Sequence, residues 1–160
     1  MLTWRFAPFD ELSPREAHDI FQLRVDVFVM EQNCPFQDID GADLDALHLL
    51  GFSPSPLGEG RGEGQLIAYA RLIPAGIKFA EPSIGRVITR QSVRGTGLGR
   101  ELMQEALARS DALWPGQAVR IGAQHRLEKF YQSLGFTTAS DVYIEDGIPH
   151  IEMLRTGTTK

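Results

Sequence analysis

The feature that most limits the fold of this chain is a glycine loop between a strand pattern and a helix pattern. SIGRVIT has the composition of a β-strand, and VRGTGLGRELM follows it with glycines at alternate positions, Gly95, Gly97 and Gly99. The first turn of a helix has backbone N–H groups without intrahelical partners, and the helix dipole is positive there. The loop therefore predicts an anion-binding site. The simpler alternative is a glycine-rich turn that only joins a strand to a helix.

The remaining segments predict one α/β domain. Ser13 is a suitable N-cap and Glu16 completes a capping box, so a first helix is expected over about Pro14–Phe28. A second helix is expected over about Gly97–Trp114, and RLEKFYQSL predicts a short third one. The predicted strands are TWRFAPF, ALHLLGF, QLIAYARLIP, SIGRVIT, QAVRIGA and a final hairpin, DVYIEDGIPHIEML, that turns at Asp146-Gly147.

One stretch stands apart in composition. SPSPLGEGRGEG, residues 53–64, consists almost entirely of Ser, Pro, Gly and charged residues. Such a composition buries too little apolar surface to offset the entropy of ordering. We therefore expect a flexible hairpin insertion within a domain spanning residues 1–155, followed by a disordered tail at 156–160.

Composition and charge limit the classes of function. The net charge of −5 argues against a nucleic-acid binder, because phosphate backbones require a basic face. A single cysteine, Cys34, permits no internal disulfide and no cysteine metal cluster, so we expect no metal and a reducing compartment. MLTWRFAPFDEL has no apolar signal core, and no later stretch approaches membrane-spanning length. These observations predict a cytoplasmic protein without a membrane partner.

The anion can be narrowed by comparing three phosphate-binding loops. A Walker loop requires Lys followed by Ser or Thr after its last glycine, whereas Arg100-Glu101 follow Gly99. A dinucleotide fingerprint requires Gly or Ala at position 100, which is again Arg100. The stretch resembles instead the coenzyme A pyrophosphate loop of GNAT acetyltransferases, Arg/Gln-x-x-Gly-x-Gly/Ala, whose pattern is met by Arg94, Gly97 and Gly99.

A second segment resembles the same superfamily. AQHRLEKFYQSLGF is similar to the GNAT segment in which a helix carrying Phe-Tyr precedes Gly-Phe, here Phe130, Tyr131, Gly135 and Phe136. In that superfamily the tyrosine commonly protonates the departing coenzyme A thiolate. A phenol with a pKa of about 10 suits this role. The alternative is that Tyr131 only packs its ring under the sheet.

The resemblance covers nearly the whole chain. LRVDVFVMEQNCPFQDIDGADLD, AYARLIP, IGRVI, GAQHRLEKFYQSLGF and EDGIPHIEM are similar to the ElaA family of bacterial GNAT proteins. This implies a single-domain GNAT acyl-CoA N-acyltransferase fold. That α/β fold has a mixed, mostly antiparallel sheet with a splayed central pair of parallel strands and flanking helices. It also implies acetyl-CoA as the donor, but it does not identify the acceptor.

The resemblance also implies which residues bind the donor. In the superfamily the pantetheine arm pairs with the backbone at the end of the fourth strand, and the pyrophosphate lies on the glycine loop. Gln124 stands where many members have Asn. The residues assigned to acetyl-CoA on this basis are Val87, Ile88, Thr89, Arg94, Gly95, Thr96, Gly97, Leu98, Gly99 and Gln124.

An amine acceptor must lose a proton before it attacks a thioester, directly to a base or through water. The candidate bases are Glu31, Asp40, Asp43, His48, His150 and Glu152. We place His48 and Glu31 first, because they lie on elements expected to border the acceptor cleft. A structural role is the alternative for each. The acidic residues Asp38, Asp40, Asp43 and Asp45 would suit a cationic acceptor, although such a run is also typical of a solvated loop.

Three functions remain open from the sequence. The first is direct acetyl transfer from acetyl-CoA to a small-molecule or peptide amine, by a monomer or a homodimer. The second is an enzyme like the acyl-homoserine lactone synthases, which share the fold and resemble this chain at Arg24, Phe28, Asp40, Asp43 and Arg71. The third is a non-catalytic coenzyme A-binding module, which would bind coenzyme A without turnover on any amine.

Overall fold

Eight strands and three α-helices follow one another in the computed structural model, which describes residues 2–54 and 64–158. The helices are α1 (Pro14–Arg24), α2 (Leu98–Leu113) and α3 (Glu128–Gln132). The strands are β1 (Thr3–Pro8), β2 (Leu47–Phe52), β3 (Leu66–Ile73), β4 (Ser83–Thr89), β5 (Val119–Gln124), β6 (Thr137–Thr138), β7 (Tyr143–Glu145) and β8 (Ile148–Arg155).

The strands form two antiparallel sheets that diverge between β4 and β5. The first sheet has the order β1-β2-β3-β4, and the second has the order β5-β8-β6, with β7 paired to the first half of β8. The backbone N–H of Arg120 donates to the Pro82 carbonyl at 3.0 Å and joins the starts of β4 and β5. Further along, the two strands line opposite sides of a cleft. The predicted fold, with its splayed parallel pair, is confirmed.

The first sheet is buried on both faces, because α1 and α2 cover opposite sides. Successive strand residues point to opposite faces, so Leu49 packs with the α2 side of the core and Leu50 with the α1 side. On α2, Leu102 and Met103 are fully buried against the strands, while on α1 Ile20 and Leu23 are. This two-sided burial explains the nearly continuous apolar run in β3.

The first helix begins as predicted but changes its winding. The Ser13 side chain accepts from the Glu16 N–H, the Glu16 side chain accepts from the Ser13 N–H, and Pro14 occupies the first helical position. After Arg24 the chain continues as a π-helical segment over Val25–Glu31. Wider π turns inside helices are frequent at functional sites, and this segment borders the cleft.

The C-terminal hairpin turns where the sequence predicts. Asp146 and Gly147 both have positive φ, 50° and 76°, as a two-residue type I′ turn between β7 and β8 requires. The short β6 was not predicted, because two threonines carry no periodicity of their own. No helix in residues 2–54 and 64–158 combines the length and apolar character needed to cross a membrane.

The predicted flexible insertion falls mainly on residues 55–63, which lie outside the described residues, as do residues 159–160 of the predicted tail. On either side of the insertion the backbone is paired. The Ser53 N–H donates to the Gln65 carbonyl at 2.9 Å, and the Gln65 N–H donates to the Ser53 hydroxyl at 3.1 Å. The β2–β3 hairpin is therefore closed at the base of the insertion.

Deleting residues 55–63 and joining the ends with a short turn should leave the melting temperature and coenzyme A affinity nearly unchanged. The reason is that the composition contributes almost no apolar burial and the hairpin is already closed at Ser53 and Gln65. Thermal melts and calorimetric titration with coenzyme A would measure both quantities. A large loss of either would show that the segment has a structural or functional role.

Candidate active site

A cleft of about 330 Å³ opens where β4 and β5 diverge. One wall consists of β4 and the π-helical segment, and the other consists of β5 and the chain leading into α3. The β7–β8 turn closes the far end, where the Cys34 thiol donates to the Asp146 carbonyl at 3.1 Å. Because both strands contribute to it, the cleft gives a ligand access to backbone groups that would otherwise pair with each other.

A bulge in β4 frees part of its backbone. Arg71 of β3 is opposite Gly85, and Tyr69 is opposite Ile88, so two β4 residues, Arg86 and Val87, stand against a single residue of β3. Arg86 has a positive φ of 49°, which is unusual for a residue with a side chain. A bulge leaves an extra residue out of the ladder and re-aims the chain. Since Arg86 and Val87 line the cleft, their backbone is placed to meet an extended ligand.

The glycine loop forms an open anion-binding site. Gly97 caps α2 with a φ of 87°, and Gly95 has a φ of 82°. A Cβ built on Gly95, Gly97 or Gly99 would meet no atom within 4 Å, so the space above the loop is free. Thr96 donates its hydroxyl to the Val93 carbonyl at 2.6 Å, while the Leu98 side chain is buried in the core and contributes only its backbone. The first-turn amides of a sixteen-residue helix therefore face open space.

Arg94 ties this loop to the two elements beside it. Its guanidinium donates to the Glu31 carboxylate at 2.6 Å and to the Thr89 carbonyl at 3.1 and 3.3 Å. The structure thus brings together three residues singled out by the sequence. Glu31 lines the cleft, but its carboxylate is held in an ion pair with Arg94 rather than free.

Tyr131 lies in the cleft wall with its ring in the core. It is 7% exposed, and the ring packs edge-on against Phe130 and Phe136. Its hydroxyl has no hydrogen-bond partner in the described ranges, and Tyr131 is one of the residues lining the cleft. Burial raises the pKa of Tyr131 to about 12. The phenol therefore keeps its proton at neutral pH and has it available to donate.

Gln124 stands at the end of β5 and belongs to a chain of amide and guanidinium groups. Its side-chain N–H donates to Gln32 at 3.3 Å, and its oxygen accepts from Arg126 at 3.0 Å. Gln32 follows the π-helical segment, so this bond joins the two walls. All three residues line the cleft.

His48 lies outside the cleft. It is fully buried, Nδ1 accepts from the Tyr69 hydroxyl at 2.6 Å, and Nε2 donates to the Asp43 carbonyl at 2.9 Å. Burial also lowers the pKa of His48, so the ring stays neutral. Both ring nitrogens are used inside the fold, which leaves His48 a structural role.

The acidic run beside His48 is only partly solvated, because Asp38 and Asp43 are buried while Asp45 is exposed. Asp38 and Asp43 are 4% and 2% exposed. Arg24 donates to both carboxylates, at 2.9 Å to Asp38 and at 2.6 and 3.1 Å to Asp43. Arg71 donates to Asp43 at 3.0 Å and binds both oxygens of Asp40. These residues, with Arg86, form what we name the buried ion network.

The buried ion network also engages three of the four aspartates that the sequence offers as an acidic acceptor site. Arg86, the bulged residue of β4, donates to Asp38 at 2.8 Å and approaches Asp40 at 3.5 Å. Three arginines thus neutralise Asp38, Asp40 and Asp43, and these carboxylates are not free to attract a cation. The network instead fixes the loop after the π-helical segment to β3 and to the bulge.

Several cleft residues carried no signal in the sequence. Lys78 reaches the cleft from the loop between β3 and β4, and burial lowers its pKa. Arg126 reaches it from the chain before α3. A single basic residue in a loop has no pattern that marks it as part of a site. In the part of the chain that the structure describes, no three His, Cys, Asp or Glu residues are grouped to hold a metal ion.

The donor expected from the resemblance fits these features. Coenzyme A has a pyrophosphate, which suits the free amides at the start of α2, and an extended arm with amide groups, which suits the β4 backbone. A side chain at the loop glycines would occupy the open space that a phosphate needs. A sheet split between two parallel strands, with an anion-binding site at the start of the helix that follows the first of them, defines the class of acyl-CoA N-acyltransferases.

Comparison with known proteins agrees with this class. The sequence pattern of the acetyltransferase (GNAT) domain matches residues 61–156. The protein ElaA of Escherichia coli K12 is 43% identical over 157 residues, which is 97% of each chain. The E. coli ElaA crystal structure superposes with a TM-score of 0.86 at 42% identity, covering 97% of this chain and 99% of that one. An acyl-CoA N-acyltransferase from Pseudomonas aeruginosa superposes with a TM-score of 0.87 at 39% identity and the same coverage. The chain belongs to the ElaA family of GNAT acetyltransferases.

Proposed function

We propose that this protein transfers an acetyl group from acetyl-CoA directly to an amine. The observation that carries the proposal is the cleft itself. The Tyr131 phenol lies in its wall, and the anion-binding site at the start of α2 lies beyond one end. Acetyl-CoA, when bound, supplies a thioester whose carbonyl carbon an amine can attack.

The donor residues divide by role. The amides from Gly95 to Gly99 hold the pyrophosphate, and Arg94 positions the loop through its bonds to Glu31 and Thr89. The β4 backbone from Val87 to Thr89 pairs with the pantetheine arm, and a backbone N–H there polarises the thioester carbonyl. Gln124 faces the same space from β5.

Tyr131 protonates the leaving group in this proposal. As the new C–N bond forms and the C–S bond breaks, the electron pair of the C–S bond goes to sulfur. The Tyr131 hydroxyl donates its proton there, which prevents the thiolate from re-attacking. With a pKa of about 12 the phenol is protonated at neutral pH, and its hydroxyl has no other acceptor in the described ranges.

The two alternative functions have less support. The residues that resemble acyl-homoserine lactone synthases, Arg24, Asp40, Asp43 and Arg71, bind one another in the buried ion network and so have a structural role here. A non-catalytic coenzyme A module would not need a proton donor in the cleft wall.

An acceptor screen separates these functions. Acetyl-CoA would be offered with a panel of small amines, polyamines, amino acids and peptides, and release of free thiol would be followed. Acetyl transfer predicts thiol release that depends on one amine class and an acetylated product with the matching mass. Tight coenzyme A binding without turnover on any amine would contradict the proposed activity.

Gly99→Val should weaken coenzyme A binding about tenfold or more, because the side chain enters the open space over the loop and one charge-assisted hydrogen bond is lost. Gly99 is chosen over Gly97, whose positive φ would strain any side chain. Glycine within a helix is about 0.5–1 kcal/mol less favourable than alanine, and valine lies between the two, so the melting temperature should not fall. Calorimetric titration and thermal melts measure the two quantities.

Gly41→Val provides the matched control. Gly41 also has free space around a built Cβ and lies outside the cleft, so this variant should bind coenzyme A like the wild type. If folded Gly99→Val binds coenzyme A with the wild-type affinity, the proposed position of the pyrophosphate on this loop is wrong.

A further inference from the structure

We infer that His150 is the general base for the acceptor amine, an inference that rests on the proposed acetyl transfer. His150 lies in β8, opposite Gln124 of β5 and opposite Tyr143 of β7. Its side chain is 12% exposed and lines the cleft on the side closed by the β7–β8 turn. The imidazole therefore borders the same cleft as the donor residues, but from β8, the strand next to β5.

One hydrogen bond of the His150 ring fixes its tautomer. Nδ1 is 2.7 Å from the carbonyl oxygen of Ile148, and a carbonyl can only accept, so Nδ1 carries the hydrogen. In the neutral ring Nε2 then has a free lone pair. The Nε2 atom is 3.6 Å from the Glu145 carboxylate, which is beyond hydrogen-bond distance and is not a donor when ionised. Nε2 is thus set up to accept a proton.

The neighbours of His150 orient the ring and connect it to solvent. The Glu145 carboxylate of β7 lies 3.6 Å from Nε2 and is 52% exposed, so a proton that leaves Nε2 can pass to solvent beside it. The Tyr143 ring stacks on the imidazole at a centroid distance of 5.9 Å and holds its orientation. The other charged or titratable side chains in the cleft lining are Glu31, Cys34, Lys78, Arg86, Arg94, Arg126, Tyr131 and Asp146.

The other candidate bases are engaged elsewhere. His48 is buried with both nitrogens bonded, and the Glu31 carboxylate pairs with Arg94. Asp40 and Asp43 belong to the buried ion network. Glu152 pairs with Arg120 at 3.1 Å. His150 combines access to the cleft with an uncommitted lone pair.

The proton balance of the step is complete with these groups. The amine nitrogen forms a bond to the acetyl carbon, and its proton passes to Nε2 of His150 directly or through one water. The sulfur takes a proton from Tyr131 as the C–S bond breaks. Each turnover leaves an amide, a free thiol, an imidazolium and a phenolate, and proton exchange with solvent restores the last two.

His150→Asn tests the role of Nε2 with little change to the fold. The Asn side-chain N–H can still donate to the Ile148 carbonyl, so the structural bond of Nδ1 is kept and only the base is removed. We expect kcat to fall about 10²- to 10⁴-fold, with coenzyme A affinity unchanged. His18→Gln, at an exposed histidine outside the cleft lining, should behave like the wild type.

A second variant gives a readout that a structural role would not move. In His150→Ala, added imidazole should restore part of kcat in a concentration-dependent way, because the free base can occupy the vacated space. If the wild type acetylates an amine and His150→Asn keeps the wild-type kcat, the inference is overturned while the proposed function stands. If the wild type acetylates no amine, the proposed function fails and this inference fails with it.

Discussion

Tyr131→Phe is expected to lower kcat about 10²- to 10⁴-fold and to leave coenzyme A affinity close to that of the wild type. The substitution removes one oxygen from a ring that packs against Phe130 and Phe136, so the core contacts remain. What is lost is the proton donor in the cleft wall, whose pKa of about 12 keeps it protonated at the assay pH. Steady-state rates with an identified acceptor and calorimetric titration with coenzyme A measure the two effects.

Ser133→Ala is the control for this experiment. It removes an exposed hydroxyl that lies in the same segment as Tyr131 but outside the cleft lining, where it donates to the Phe130 carbonyl. The control should retain most of the wild-type activity. A wild-type rate in Tyr131→Phe would mean that water or another residue protonates the sulfur and that Tyr131 serves only packing.

Much of the fold could be predicted because its signals are local. The bounds of β4 match the SIGRVIT stretch, and the Ser13 capping box sets the start of α1. The π-helical segment could not be predicted, since Val25–Glu31 continues the pattern of an ordinary helix. The bulge at Arg86 was also invisible, because it depends on how β4 pairs with β3.

The donor side of the cleft was easier to predict than the acceptor side, because its signal also lies within a short stretch of sequence. A glycine loop at a helix start has fixed spacing, so its geometry can be deduced from a short stretch. The role of His48 instead depends on Tyr69 and on the Asp43 carbonyl, which tertiary packing brings to it. In the sequence the acidic run resembles a solvated loop, because the arginines that pair with it, Arg24 of α1 and Arg71 of β3, are distant along the chain. Burial of charge is a property of pairs distant in sequence.

Asp43→Asn is expected to lower the free energy of unfolding by about 3–5 kcal/mol, a large fraction of the total for a domain of this size. Asp43 is 2% exposed, and its carboxylate binds Arg24 and Arg71, which are themselves almost fully buried. Removing its charge leaves two buried guanidinium groups with one fewer counter-charge between them. Denaturant titration measures the loss. Asp45→Asn, in the same loop but exposed, should change stability by less than about 0.5 kcal/mol.

The pH dependence of the stability difference between the wild type and Asp43→Asn shows whether the loss comes from charge or from packing. Burial acts to raise the pKa of Asp43, but its bonds to Arg24 and Arg71 outweigh that effect and hold the pKa below its usual range. The bonds from Arg71 lower the pKa of Asp40 to about 2. Carboxylates with depressed pKa values stabilise the fold above the unfolded pKa of about 4 and lose that contribution as pH falls. Wild-type stability should therefore decrease from about pH 4 to about pH 2 more steeply than that of Asp43→Asn. The gap between the two proteins should narrow in acid, and an equal gap at both ends of that range would assign the loss to packing rather than to charge.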